Sequence, residues 1–542
     1  MQAERTGPIG GSCSEGRRRQ GERGDPMPVE KGPRGASAPL GTRGTAWSPE
    51  TRLYTDGVAE ASDGTPLALP PHSDHLRVPG TPLLDRRWPL TGAAPAGPEA
   101  VAARRAALAG AGIPGQGTRW CDMARTALID IRALLFPNGA MVAAASPHWR
   151  YVWPRDASYC AVALALCGLR ADAVRVLAYL ERVLPRTGPW QARYLPDGSG
   201  GVPDDRGVQL DGAGWVLWAA WVIARLGTGP APSGPSSPFP PSSAAWAAGE
   251  AAWPPAGDAP NASFGGRDAL PPAPDTGADS VHPGPPPGGP GAEPLHPVLD
   301  GAALALPAAE DRAAVERLVP RALAVIEQAL DPRTRLPRPS PDYWEKRTGE
   351  LTLGTAAPLA LGARSAAALT GDVAAAGLAE DLEAGVEAHF APHDYPRTVP
   401  RAPAGQAEGR PGKDASVAFL MPPFAPARPG PHAAWLRALD ALRVSNGGLR
   451  PGEDWPDSTT AWTPQVSLFA MTAACLGEHA AAHRLLDWLA ARRTRLGALP
   501  EKVTAAGRPA AVAPLALTGA SVLAALAALE GRAPPVPPLP PR

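Results

Sequence analysis

Helical patterning recurs through most of this 542-residue chain from about Pro98 onward. Apolar residues spaced three and four positions apart predict helices over 99–110, 118–135, 156–184, 209–226, 309–330, 352–369, 371–389, 432–443, 460–476, 479–493 and 513–530. Alternating strand patterns are nearly absent after residue 100, and the lack of a constant repeat length argues against a regular solenoid. Ten to twelve helices in consecutive antiparallel pairs predict an all-α bundle or closed toroid.

Three segments fall outside this pattern. Residues 1–50 are polar and Gly-rich, and we expect them to be disordered. Residues 51–98 contain scattered apolar groups among many prolines, which indicates an extended arm or a few short strands. Residues 228–298 are rich in Pro, Gly and Ser and cannot build a core, so they predict a flexible insertion within a helical domain that spans 99–542.

Charge and composition exclude several classes of partner. Lys+Arg and Asp+Glu are equal at 52 each, which argues against nucleic acid or an anionic membrane as a partner. No apolar run is long enough to span a bilayer, and the N-terminus lacks the apolar region of a secretory signal. We therefore expect a cytoplasmic protein, whose oligomeric state the sequence leaves open.

Metal and cofactor motifs are also scarce in the sequence. The five cysteines form no Cys-x-x-Cys pair, and we expect them to be small buried side chains rather than disulfides or zinc ligands. His479 and His483 are four residues apart on one predicted helix but lack a third ligand nearby. No Gly-rich phosphate loop is present. We expect neither a metal nor a cofactor.

The segment Trp149–Ala157 combines aromatic residues with a neighbouring Arg155 and Asp156 at the start of a predicted helix. One interpretation is that Asp156 caps the helix and pairs with Arg155. The other is a sugar site, in which aromatic faces stack on a pyranose while the charged pair binds its hydroxyls. The residues themselves do not choose between them.

A second acid, Asp211, opens an apolar helix after Gln209. It is either a residue favoured by the helix dipole or a further sugar ligand. Trp215, Trp218 and Trp221 follow at helical spacing, and we expect them to pack in the core.

Glu345 lies beside Trp344 in the segment Pro341–Arg347. Apolar cover from an indole would raise the pKa of a carboxyl, which suits a general acid. The alternative is a surface glutamate balanced by Lys346 and Arg347. Glu350 is a weaker candidate because it has no aromatic neighbour.

The last acid, Glu501, lies on a loop between two predicted helices in the segment Leu499–Val503. Alone it means little, but it could supply a second carboxylate from a separate loop. The Gly-rich loop Gly447–Trp455, which contains Arg450, and the segment Lys413–Ser416 are further candidates for the rim of a site.

In chain order, these segments resemble family 15 of the glycoside hydrolases, the glucoamylases. The shared order runs through Tyr-Val-Trp-Pro-Arg-Asp-Ala at 151–157, Gln-Leu-Asp at 209–211, Trp-Glu at 344–345, Asp-Ala-Ser at 414–416, Gly-Gly-Leu at 447–449, Thr-Ala-Trp at 460–462 and Leu-Pro-Glu at 499–501. The resemblance covers about residues 105–530. It implies an (α/α)6 barrel of six inner and six outer helices, with the active site in loops at one end.

The resemblance also implies roles for individual residues. Glu345 matches the general acid and Glu501 the general base of an inverting hydrolase that releases β-glucose from α-glucosides. Their carboxyls are then expected to lie about 6.5–9.5 Å apart, which leaves room for a water molecule. The residues matched to substrate binding are Arg155 and Asp156 around the terminal glucose, Asp211, Arg450, and the pocket aromatics Trp153 and Trp344.

Two departures leave other functions open. Residues 1–98 are too short and Pro-rich for the N-terminal β-sandwich of many bacterial members, and no Trp follows Leu515 where the family commonly has one. A sugar phosphorylase would use phosphate in place of the base, and a non-catalytic carbohydrate-binding or regulatory barrel would lack turnover. The glycosidic linkage and chain length of the substrate are not determined by the sequence.

Overall fold

The described part of the chain is helical with a few short strands. The structure is a computed structural model and describes residues 54–88, 92–226, 309–399 and 412–540, which all belong to one structural unit. The segment expected to be disordered, 1–50, and the expected insertion, 228–298, lie outside the described residues. None of the described helices combines the length and hydropathy of a membrane-spanning segment.

Twelve α-helices occur within these ranges. They are α1 Pro98–Ala109, α2 Cys121–Ala133, α3 Pro154–Leu166, α4 Arg170–Val183, α5 Asp211–Leu226, α6 Ala309–Ala329, α7 Leu353–Thr370, α8 Val373–Phe390, α9 Pro429–Ala441, α10 Thr463–Leu476, α11 His479–Ala490 and α12 Ala516–Leu529. The single helix predicted over 156–184 is therefore two helices. Gly168, with φ +81°, separates them because a left-handed residue ends a helix.

Six segments form a closed inner ring. Around the ring they are α3, α5, α7, the 3-10 segment Ala415–Leu420, α10 and α12, and α12 packs back against α3. The helices α2, α4, α6, α8, α9 and α11 pack around this ring. The arrangement confirms the predicted all-α (α/α)6 barrel. The sequence did not predict that a 3-10 segment would be the sixth inner member.

Packing of the inner ring follows from its sequence. Helix α12 is composed mainly of Ala and Leu and is buried over most of its length. Helices α5 and α7 approach so closely that a Cβ on Gly214 would lie 1.8 Å from the carbonyl oxygen of Pro358. Trp215 and Trp218 on α5 are fully buried, which confirms their expected packing role.

Residues 54–88 pack against the barrel. Strands β1 (Gly57–Glu60) and β2 (Pro66–Leu69) pair antiparallel, with Gly57 opposite Leu69. Buried Arg77 pairs with Asp130 of α2 at 2.9 Å, so this segment is tied to the barrel by a buried ion pair.

A small sheet lies near one end of the inner ring. It consists of β3 (Ala461–Trp462), β4 (Lys502–Val503) and β5 (Pro509–Ala510), all antiparallel. Trp462 lies opposite Lys502. The strand β3 runs directly into α10, so the sheet fixes the loop that carries Glu501 against the start of that helix.

Candidate active site

A cavity of about 640 Å³ lies where the helices α3, α10 and α12 begin. The residues around it are Ala143, His148, Trp149, Trp153, Arg155, Asp156, Arg193, Arg206, Tyr343, Trp344, Glu345, Pro451, Trp455, Trp462, Pro464, Gln465, Glu501, Lys502, Leu515 and Leu517. The fold thus brings together six of the eight site residues expected from the sequence, including both candidate catalytic glutamates.

Arg155 organises one wall of this cavity. Its guanidinium lies 3.2 Å from the carboxylate of Asp156 and 3.3 Å from that of Asp211, and only 11% of its side chain is exposed. Burial raises the pKa of both aspartic acids, and the charge of Arg155 opposes that rise. Asp156 therefore lies in the first turn of α3, pairs with Arg155 and also lines the cavity. Asp211 also pairs with Arg155 but is not among the residues that line the cavity.

Glu345 is surrounded by hydrogen-bond donors. The indole Nε1 of Trp153 donates to its Oε1 at 2.5 Å, and Arg206 pairs with its Oε2. A third donor, Arg155, lies 3.9 Å from Oε1. The expected apolar cover by the neighbouring Trp344 is not what the structure shows, because that indole packs against Trp455 instead. Glu345 is therefore set between two cations, Arg155 and Arg206.

The backbone around Glu345 is held in an uncommon conformation. Glu345 has φ +56°, and its amide donates to the carbonyl of Asp342 at 2.8 Å. Buried Asp342 also accepts from the amide of Trp344 and is held by Arg397 at 2.8 and 2.9 Å. A non-glycine residue at positive φ costs of order 1–3 kcal/mol and concentrates at functional sites. The buried Asp342–Arg397 pair holds this turn in place.

The carboxyl of Glu501, unlike that of Glu345, is not surrounded by hydrogen-bond donors. It is buried, and its Oε2 has no hydrogen-bond partner among the described residues. Its backbone is fixed, because its amide donates to Val512 and its carbonyl accepts from the amide of Thr463. Burial raises the pKa of Glu501 to about 7, with Lys502 opposing that rise and Asp156 adding to it. A carboxyl with this pKa exchanges a proton readily near neutral pH.

Three indoles form a continuous aromatic wall, which consists of Trp344, Trp455 and Trp462. Neighbouring rings meet edge to face at 4.8 and 5.1 Å. The indole N–H groups of Trp344 and Trp462 have no partner among the described residues. Such a wall offers apolar faces for a pyranose ring.

Comparison with known proteins finds similarity to glycosyl hydrolases. The model of the family "Glycosyl hydrolases family 15" matches residues 123–188, which include Trp153, Arg155 and Asp156. An uncharacterised glycosyl hydrolase of Methanocaldococcus jannaschii is 33% identical over 113 residues, which are 20% of this chain and 18% of that protein. This segment of the chain is similar to the family 15 glycosyl hydrolases.

Solved structures share the barrel. A bacterial glucoamylase complexed with acarbose matches with a TM-score of 0.53 at 14% identity, over 80% of this chain and 59% of that one. A glycosidase variant in complex with glucose matches with a TM-score of 0.50 at 18% identity, over 76% of this chain and 97% of that one. At these identities the likeness shows the fold alone.

The structure does not bring Arg450 to the cavity. Its guanidinium instead donates to the carbonyl of Ala441, at the end of α9, at 3.5 Å. Its neighbour Pro451 lines the cavity in its place. Sequence order assigned Arg450 to substrate binding, but the side chain extends to the helix end, where a cation satisfies an unpaired carbonyl.

Several cavity residues were not singled out from the sequence. Arg193 stacks on Tyr151 and Trp153 at 4.5 and 4.9 Å, and it shares Asp204 with Arg206. These residues come from a loop between α4 and α5 with no helical or strand pattern, so the sequence gives no signal of their position. No cluster of three or more potential metal ligands occurs among the described residues.

Proposed function

We propose that the protein is an inverting, exo-acting α-glucoside hydrolase that releases β-glucose from short α-glucans or related α-glucosides. The observation that carries the proposal is that Glu345 and Glu501, from separate loops, line one cavity next to the Arg155–Asp156 pair. Two carboxyls with different environments are what acid and base assistance requires. The cavity volume of about 640 Å³ is that of a small-molecule site.

The proposed reaction is a single displacement. Protonated Glu345 gives its proton to the glycosidic oxygen as the bond from that oxygen to C1 breaks. Glu501 takes a proton from the water that attacks C1, so the anomeric configuration inverts. The raised pKa of Glu501 and its unpartnered Oε2 support the role of base, because this carboxylate is basic and is free to accept a hydrogen bond.

Substrate binding is assigned to the residues around these two glutamates. Arg155 and Asp156 offer a paired donor and acceptor for the hydroxyls of the terminal glucose. Trp153 and the aromatic wall offer ring faces for stacking. Because Asp211 pairs with Arg155 but does not line the cavity, it is assigned as a positioning residue.

The anomer of the first product tests the proposal. We expect ¹H NMR of fresh reactions with maltose, isomaltose and trehalose to show β-glucose before mutarotation for at least one substrate. If the glucosyl unit that is transferred to water appeared as α-glucose, beyond the anomers that the leaving sugar itself contributes, this would indicate retention and contradict the single displacement. Turnover only with added inorganic phosphate would indicate a phosphorylase, and binding without turnover would indicate a non-catalytic barrel.

The alkaline limb of the pH profile tests the base. The active form needs Glu345 protonated and Glu501 ionised. Because the donors around Glu345 favour its ionised form and burial raises the pKa of Glu501 to about 7, the fraction of this active form, and with it kcat/KM, is expected to fall as the pH rises above about 7. Lys502 favours the ionised form, so Lys502→Gln is expected to move this limb to higher pH. Lys346→Gln is the matched control, because Lys346 is not among the groups that shift the pKa of Glu501. An alkaline limb that is unchanged in Lys502→Gln would contradict the assignment of the limb to Glu501.

A further inference from the structure

Arg206 is a cavity residue that the proposed displacement does not use. It lies on the loop between α4 and α5, and its side chain is 40% exposed. One of its terminal nitrogens pairs with Oε2 of Glu345, while its Nε donates to Asp204 at 3.0 Å. Arg206 is therefore shared between the candidate acid and a second carboxylate on its own loop.

This contact conflicts with the role of Glu345 as a general acid. Two guanidinium groups and an indole N–H all stabilise the ionised carboxylate. A general acid must be protonated when the glycosidic bond breaks. Arg155 is fixed by Asp156 and Asp211, so Arg206, with its exposed side chain, is the cation that can move away.

Further positive charge surrounds the same cavity. Lys502 lies over the Trp462 ring at 4.2 Å and Lys346 over the Trp455 ring at 4.6 Å. Neither ammonium has a carboxylate oxygen within 4.0 Å in the described part of the chain. Only four of the 52 basic residues in the chain are lysines, and these two lie at the aromatic wall. A neutral sugar would leave both ammonium groups without an anion in direct contact.

We propose that the preferred substrates are α-glucosides whose leaving group carries an anionic substituent, a carboxylate or a phosphate. The inference rests on the proposed hydrolase function. The anion pairs with Arg206 and draws it from Glu345, which can then hold the proton needed for departure of the leaving group. The lysines at the aromatic wall add to the attraction. Arg206 is thus a positioning and specificity residue, because it acts through Glu345.

Matched pairs of α-1,4-glucosides test the preference. Maltobionate is compared with maltitol for a carboxylate, and maltose phosphorylated at O6 of its reducing-end glucose is compared with maltose for a phosphate. We expect kcat/KM of the wild type to be about tenfold or more higher for the anionic member of at least one pair, as for a charge-assisted hydrogen bond. The pair that shows the preference identifies the anion. Equal kcat/KM within both pairs would overturn the inference and leave the hydrolase function standing.

Variants of Arg206 show whether this residue causes the preference for anionic substrates. Arg206→Gln is expected to bring the anionic-to-neutral ratio of kcat/KM close to one, and Arg206→Lys to restore part of it. Arg347→Gln is the control, since it removes a charge that is 83% exposed and contacts Asp205 of the same loop. A ratio unchanged in Arg206→Gln would contradict the role of Arg206. If Arg206→Gln does not fold, as judged by circular dichroism, the wild-type ratios still test the preference for anionic substrates, and Arg206→Lys still tests the role of Arg206.

Release of glucose from none of the four compounds would instead count against the proposed function, and the inference would fall with it.

Discussion

Glu345→Gln is expected to lower kcat for maltose by about 10²–10⁴-fold, the usual contribution of a general acid. The same variant is expected to keep most of its activity toward α-glucosyl fluoride, because fluoride leaves without full protonation. The difference between the two substrates is expected because only maltose needs the proton of Glu345. The side chain of Glu345 lines the cavity, its backbone is at positive φ, and Trp153 donates a hydrogen bond to its carboxylate. The measurement is initial-rate kinetics on both substrates.

Glu501→Gln is the matched comparison for this experiment. A base that activates water is needed for either leaving group, so this variant should lose activity on maltose and on the fluoride alike. If Glu345→Gln lost both activities equally, its role would be binding or structure rather than acid catalysis. If it kept full activity on maltose, the acid would have to be another residue, with Glu350 the first to examine.

The second large effect expected is on stability. Burial raises the pKa of Glu501 from 4.5 to about 7, so the folded state holds this proton more tightly than the unfolded state does. Stability is therefore lost as the pH rises from about 4.5 through 7, by about 3 kcal/mol for a shift of this size. Glu501→Gln removes the titrating group. Relative to the wild type, its free energy of unfolding should rise by about 3 kcal/mol between about pH 4 and pH 8.5.

Urea titrations at the two pH values measure this difference directly. Glu327→Gln is the control, because Glu327 is exposed on α6 and its replacement should not change the pH dependence. The comparison between pH values matters more than either value alone, since a buried Gln also changes hydrogen bonding at every pH. An equal difference between variant and wild type at both pH values would show that Glu501 is not desolvated in the folded protein.

Much of the fold was predictable because it depends on local pattern. Apolar spacing located the barrel helices, and the order of short segments such as 151–157 and 499–501 indicated the barrel type. Boundaries failed where single residues override the pattern, as at Gly168 between α3 and α4. The 3-10 segment Ala415–Leu420 was missed as a ring member because six residues are too few to give a helical period.

The sequence by itself indicated five groups of the candidate site, since each lies in a segment with a recognisable order: Trp153, Arg155, Asp156, Glu345 and Glu501. Only the tertiary structure decided what surrounds them. Loops brought the cation Arg206 to Glu345, where the neighbour Trp344 had suggested apolar cover. Glu501, for which the sequence suggested no such cover, is buried, and one of its carboxyl oxygens has no hydrogen-bond partner among the described residues. The physical reason is that the charge state of a carboxyl depends on burial and on charges a few ångströms away. In this barrel those neighbours come from distant parts of the chain.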